Sequence, residues 1–261
     1  YAVRAVTDSS IPTNGGCFRP VSLHLPEGTL VNPVEPAPVN SRTATLKRIA
    51  GSIVGALKGA LPDKIPADSA GELLVLSLGG KNLSGKPYVV GEFNAGGSGG
   101  GPRKDGVDVI ETDGSNCMNM PVEALELEAP ARVHRMSLRR DSGGTGEFRG
   151  GLGCVREIEF LADNIALTHR GERHRHAARG SQGGGDGAKA FSKIIRRDGS
   201  EEVVHSKLFT VVHSGERLIV ETAGGGGYGD PNGRDRQSVQ EDVRNRKVSE
   251  ESAKNDYGLA I

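Results

Sequence analysis

The run HRGERHRHAARG, residues 169 to 180, packs three histidines and four arginines into twelve positions. On a strand, His174 and His176 share a face, which permits a two-histidine metal site. The arginines argue the other way, because they repel a cation and Glu172 is the one carboxylate close by. Guanidinium forks suit planar anions, so Arg170 and Arg173 read better as holders of a carboxylate or phosphate. Arg149, in DSGGTGEFRGGLG, is a third candidate of this kind. Asp141 and Ser142 open that stretch and are candidates to line the pocket. A serine nucleophile needs a base within hydrogen-bond reach, and the GxSxG elbow is absent. Glu123, Glu126 and Glu128 form a carboxylate set that fits either proton transfer or an exposed acidic face. Cys17, Cys117 and Cys154 are odd in number and far apart, with no CxxC pair. They indicate neither a thiolate zinc site nor a disulfide framework, and point to small apolar residues in a reducing cytoplasm.

The second chemical signal is glycine, 39 of 261 residues. It concentrates in DSGGTGEFRGGLG, GSQGGGDG and TAGGGGYGDP. Successive glycine N–H groups can build anion-holding nests. No GK[ST] follows, and no GxGxxG opens a helix after a strand, so a phosphate loop is not indicated. The alternative is positive-φ turns and close backbone crossings, or loops packed on another chain. We expect Gly224 to Gly227 to bring a loop close to a substrate chamber or a neighbouring chain, with Tyr228 as a plug and Gly225 intolerant of a side chain.

These residues need elements to hold them. YAVRAV and VSLHL alternate as strands do, with turn chemistry and six prolines around them. Residues 41 to 62 predict a helix capped by Ser41 or Thr43, with Leu46, Ile49, Ile53, Val54 and Leu57 at helical spacing. ELLVLSL and KPYVVGEF follow as strands, then the glycine-rich loop NAGGSGGGPRKDG. From about Pro121, ARVHRMSLRR, CVREIEFLA, IALTHRGER, KAFSKIIRRDG, EEVVHSKLFTVV and ERLIVETA are short strands, the pattern of a sandwich or barrel. The charged end predicts short helices docked by Val239, Val243 and Val248. The fold class is therefore α+β. A mixed part over 1–120 carries one long helix, a β-rich part covers 121–235, and a helical tail covers 236–261. The chain opens inside an apparent strand and reads as the continuation of an upstream part. Thirty-three basic and 33 acidic residues cancel, so nothing favours nucleic acid. No apolar run reaches the roughly 20 residues of a membrane helix.

DSGGTGEFRGGLG, then HRGER, GSQGGGDG and TAGGGGYGDP with a trailing DVRN, resembles the C-terminal half of the hydantoinase B / 5-oxoprolinase family. YAVRAVTDSSIPTNGGCFRPVSLHLPEGTLVNP is similar to that family's middle region, and PVEALELEAP to its bacterial hydantoinase-type members. The resemblance spans nearly the whole chain. It implies the C-terminal portion of a B-type subunit in an ATP-dependent hydrolase of cyclic amides such as hydantoins or 5-oxoproline. An A-type partner would bind ATP and Mg2+ and phosphorylate the amide oxygen. Alternatives are a subunit of an acetone- or acetophenone-type carboxylase, and a non-catalytic fragment that only holds partner chains. The family's histidine–aspartate run has no match here. The resemblance therefore implies a divalent metal, Zn or Mn, on an N-terminal half that this chain lacks, and none on this chain.

Overall fold

A computed structural model of the chain describes residues 2–8, 10–71, 73–115 and 117–259. Helices α1 (Ala2–Thr7), α2 (Arg42–Ala56) and α3 (Val122–Glu128) precede most of the strands. Helices α4 (Arg236–Arg244) and α5 (Glu250–Asn255) close the chain. The strands are β1 (Leu73–Lys81), β2 (Pro87–Ala95), β3 (Ala131–Leu138), β4 (Cys154–Phe160), β5 (Ile165–Arg170), β6 (Phe191–Ile195), β7 (Glu201–Val203), β8 (Lys207–Val212) and β9 (Arg217–Glu221). They form two antiparallel sheets, β2-β1-β5-β8 and β3-β4-β9-β6-β7, and the whole is α+β. β1 and β2, from before residue 121, pair with β5 and β8 from after it, so one sheet draws on both stretches.

Alternation builds the core. Leu74, Leu76 and Leu78 of β1 point inward with Ile165, Leu167 and Val212, and meet Ile158, Phe160, Leu218 and Val220 of the second sheet in one cluster. Each such side chain contributes about 1.5–3 kcal/mol of burial, which makes the inner faces the main stabilising layer. Two facing sheets with a shared core form a sandwich. One charged pair interrupts it. Arg156 of β4 meets Glu92 of β2 at 2.9 Å, with both side chains at least 98% buried.

Three expectations are corrected. Ala2–Thr7 is a helix, not a strand, because Ala2 and Val6, four residues apart, bury one face beside α2. VSLHL joins no ladder, since no described strand lies beside it. EEVVHSKLFTVV is not one strand but two. β7 belongs to the second sheet and β8 to the first, with Val204 buried at the crossing. Helix α2 forms as expected, but Leu46, Ile49 and Ile53 are exposed while Lys47 is buried. Lys47 is held inward by Glu111 at 3.2 Å and by the Thr112 carbonyl. Ser41 stands at the α2 N-cap with φ 64° and no capping bond; its hydroxyl accepts from Arg170 instead. The tail helices dock through Val239, Val243 and Val248. Among the described residues, no helix is long and apolar enough to cross a membrane.

Candidate functional site

The glycine runs meet at one place, beside the sandwich. Gly224 to Gly227 pass through its centre, ringed by backbone from 67–70, 97–100, 142–151 and 178–188. Their hydrogen bonds rotate residue by residue. Gly225 donates to Gly151 O and accepts from Gly144 N. Gly226 donates to Asp68 O and accepts from Gly100 N, while Gly227 donates to Gly185 O and accepts from Ser181 N. Three residues, three directions: that is the repeat of a polyproline-II-type helix, which forms no bonds within itself. Glycine is required because the neighbours are backbone at van der Waals contact. A Cβ on Gly224 would stand 1.8 Å from Ser142 O, and one on Gly225 1.9 Å from Ser98 O. The crowding that excludes side chains from this run thus comes from the chain's own backbone. Tyr228 is 7% exposed and its hydroxyl donates to Pro62 O at 3.0 Å, tying the lattice to the turn after α2.

A buried ion network fastens the tail helices to this lattice. Arg149, 2% exposed, reaches Asp242 at 3.2 Å and Asp108 at 3.3 Å. Arg234 binds Asp105 and Asp242, and Lys247 binds Asp108 at 2.7 Å. Burial pushes the Asp108 carboxyl up, but the bonds from Lys247 and Leu152 N and the charge of Arg149 outweigh it and hold it below the usual range. A lowered folded value supports the fold above the unfolded carboxylate value of about 3.9 and withdraws that support as pH falls through the folded one. Asp108→Asn is therefore expected to cost about 3 kcal/mol near neutrality. Its deficit relative to the parent should shrink in acid, as thermal melts at two pH values will register.

The candidates from the sequence fall at different places. Asp141, at φ 58°, accepts from Ser249 N and so seats α5. Ser142 is buried, donates to Arg139 O and accepts from Gly153 N. Asp141 and Arg149 share a cavity of about 340 Å³ against α5. Arg170 holds Ser41, and Gly225 is inside the lattice. Arg173, at φ 60°, donates to the carbonyls of Ser69, Ala70 and Ala177. Glu126 accepts from Val133 N, and Glu123 and Glu128 are exposed on α3.

Arg173 also borders the larger opening. Between α1, α2 and residues 64–71 lies a cavity of about 550 Å³, lined also by Arg48 and Lys58. A second, of about 560 Å³, shares Val6, Lys64 and Pro66 with it and adds Arg103 and Lys104. Six basic side chains face this double cavity, against Asp68 and Asp113. Lys58 is matched by Asp68 at 2.9 Å. Arg48 spends its fork on the Ala70 and Gly71 carbonyls, which leaves its positive charge without a carboxylate among the described residues. Such a surface attracts anions. Sequence reading missed Arg48, Lys58, Lys64, Arg103 and Lys104, because they come from a helix, a turn and a glycine loop. The signal available was the PRK tip of that loop.

His169 is buried, bonds Ser192 at 3.0 Å and packs edge-on to His174, with ring centroids 5.4 Å apart. Burial, with His174 and Lys207, lowers its pKa to about 4, so the ring is neutral near pH 7. Among the described residues, no three His, Cys, Asp or Glu side chains group to hold a metal.

A family model described as hydantoinase B/oxoprolinase matches residues 1–231. The B-type subunit of a putative D-/L-hydantoinase from Pseudomonas sp. (strain NS671) is 33% identical over 254 residues, 97% of this chain and 42% of that protein. The crystal structure of an ATP-dependent caprolactamase from Pseudomonas jessenii superposes with TM-score 0.86 at 31% identity, over 100% of this chain and 47% of that one. A nucleotide-free acetone carboxylase shares the fold, with TM-score 0.72 at 20% identity, over 90% of this chain and 37% of that one. The chain thus spans a little under half the length of the hydantoinase and caprolactamase chains it matches. With the family model covering residues 1–231, the chain belongs to the hydantoinase B/oxoprolinase family.

Proposed function

We propose that the chain is the C-terminal portion of the B-type subunit of an ATP-dependent cyclic-amide hydrolase, working with an ATP-binding A-type chain. The observation that carries this reading is the superposition of the whole chain on an ATP-dependent caprolactamase. The double cavity supports it chemically. A cyclic amide is a poor electrophile, and phosphorylation of its oxygen creates a leaving group. The phosphorylated amide, the departing phosphate and the ring-opened carboxylate are all anions. A cavity with Arg48, Lys64, Arg103, Lys104 and Arg173 at its wall stabilises such species by charge and by preorganised donors. Arg173 and Arg48 are fixed on carbonyls, so they add field without moving, while Lys64, Arg103 and Lys104 stand at the rim.

The test is reconstitution of the full B-type polypeptide with its A-type chain. ATP-dependent ring opening is then assayed on N-methylhydantoin, 5-oxoproline and caprolactam, in parallel with ketone plus bicarbonate. Ring opening of a cyclic amide is the expected result. Turnover only with ketone and bicarbonate would make the protein a carboxylase, and no turnover with any of them would leave a holding role. Lys64→Ala with Arg103→Ala is expected to raise KM about tenfold, the loss of one charge-assisted contact, with Tm unchanged.

A further inference from the structure

Of the 26 large apolar side chains exposed among the described residues, 13 lie in the first 53 residues. Half of the exposed apolar surface groups thus sit on a fifth of the chain. Within residues 10–40 not one residue is buried. Leu23 is 78% exposed, Leu30 80% and Val39 66%. Among the described residues, the hydrogen bonds of this arm are local, as between Gly28 and Asn32, or reach only to Arg4. Helix α2 continues the pattern, with Leu46, Ile49 and Ile53 on one side and turned outward.

A segment that buries nothing cannot offset the entropy of a single path by itself. Its composition is not that of a solvated linker either, since it alternates apolar residues as a half-buried strand does. Contiguous exposed apolar surface marks an interface. The identity of the partner follows from the likeness to the caprolactamase. The match with that chain covers 100% of this one, the arm's residues included, at 31% identity. That chain is also more than twice as long. An apolar arm with no buried residue, in a chain that matches less than half of its relative, leaves the unmatched half as the material to cover it.

We propose that residues 10–40, together with the Leu46, Ile49 and Ile53 row of α2, form the seam onto which the remainder of the same B-type polypeptide folds. Val21, Leu23 and Leu25 add there as a strand to a sheet of that remainder. Val21 N donates to Phe18 O and Leu25 O accepts from Asn32 Nδ2, but the backbone of Ser22 to His24 has no partner among the described residues; strand addition supplies those partners, and alternate side chains enter the new core. This inference rests on reading the chain as part of a longer B-type polypeptide, and not on the reaction that the polypeptide catalyses.

The test is hydrogen exchange with peptide-level mass analysis on the full B-type polypeptide, purified without its A-type partner. The amides of residues 21–25 are expected to exchange about a hundredfold or more slowly than an unstructured peptide, as core strands do. Leu23→Asp with Leu30→Asp is expected to lower the Tm of the full polypeptide, whereas Leu83→Asp, at an equally exposed site in the β1–β2 turn, leaves it unchanged. Should the aspartate pair prevent folding, the exchange measurement on the parent protein still decides. Exchange of 21–25 at unprotected rates overturns the proposal. So does protection that appears only when the A-type chain is added, or only on raising the protein concentration, because the occupant is then the partner subunit or a second copy. Since the readout is exchange and not turnover, a failed hydrolase assay leaves this result standing, and the reverse holds too.

Discussion

Gly225→Val is expected to leave the chain unable to reach its native state at 37 °C, and Gly225→Ala to cost at least about 4 kcal/mol, among the largest single-residue effects. The cause is the absence of any yielding neighbour. Real Cβ atoms essentially never come within 3.0 Å of a heavy atom, yet here one would stand 1.9 Å from Ser98 O and 2.3 Å from Ser98 C. Ser98 cannot retreat, because its own carbonyl accepts from Gly151 N and its N–H donates to Val107 O. Moving it breaks bonds on the next strand of the lattice, and that strand is bonded onward to Gly225 itself. Gly51→Ala should have the opposite sign. Gly51 lies in α2 with nothing within 4 Å of its Cβ position, so alanine adds about 0.5–1 kcal/mol of helix stability. Cys154 supplies the readout. It is 6% exposed and burial pushes its thiol up, so it resists alkylation until the sandwich opens. Rapid modification of Cys154 in the Gly225 variants, and none in the parent or in Gly51→Ala, is the expected pattern. A Gly225→Val protein with parental Tm and a protected Cys154 would refute the lattice account.

The contrast between these two glycines also explains what could be read in the sequence. β1, β4 and β9 were legible because one face of each is packed on the core, and a period of two survives in the residue types. The tail helices were legible for the same reason, through Val239 and Val248. A glycine lattice leaves no such trace. Its elements have no side chains, so no pattern records which way a residue faces, and its partners are distant in sequence. GGGGYG could therefore be recognised as intolerant of side chains without revealing that the crowding comes from within. The break between β7 and β8 was hidden because Val203, Val204 and the residues of β8 are β-formers on both sides of the crossing. Helix α1 and the arm misled for another reason. Alternation shows that a stretch wants an apolar neighbour, and it is silent on whether that neighbour lies in the chain. Lys47 and Arg156 broke the hydrophobic pattern from inside, since a lysine or arginine is ordinarily read as surface. The basic double cavity escaped because its six cations come from segments that only the fold brings together.

Arg156→Met should destabilise the protein by about 3–5 kcal/mol, and Arg156→Met with Glu92→Leu should recover most of that loss. Both side chains lie between the sheets, where removing one partner strands a buried charge, whereas replacing both by apolar groups removes the desolvation cost of each. The local surroundings sharpen the asymmetry. Arg156 leans on the Met136 sulfur, and its Nε and Nη2 find no further acceptor among the described residues, while Asn94 Nδ2 on the same inward face of β2 is also unpaired there. The pair is therefore held chiefly by its mutual attraction. Burial raises the Glu92 carboxyl above the usual range, against the pull of Arg156. An acid whose folded value is raised supports the fold at low pH and loses that support as pH rises through its unfolded value toward the folded one. Without Arg156 the opposing pull is gone and the folded value moves higher. The deficit of Arg156→Met, measured against the parent in thermal melts, should then be smaller at about pH 4, near the unfolded Glu value, than at neutrality. In the double variant the deficit does not grow with pH, because the variant has no carboxyl there to titrate; against the parent it shrinks instead, as the parent's own Glu92 loses its support. A double variant no more stable than Arg156→Met, or a single-variant deficit that is flat across that range, would show that the arginine contributes through its packing and not through its charge.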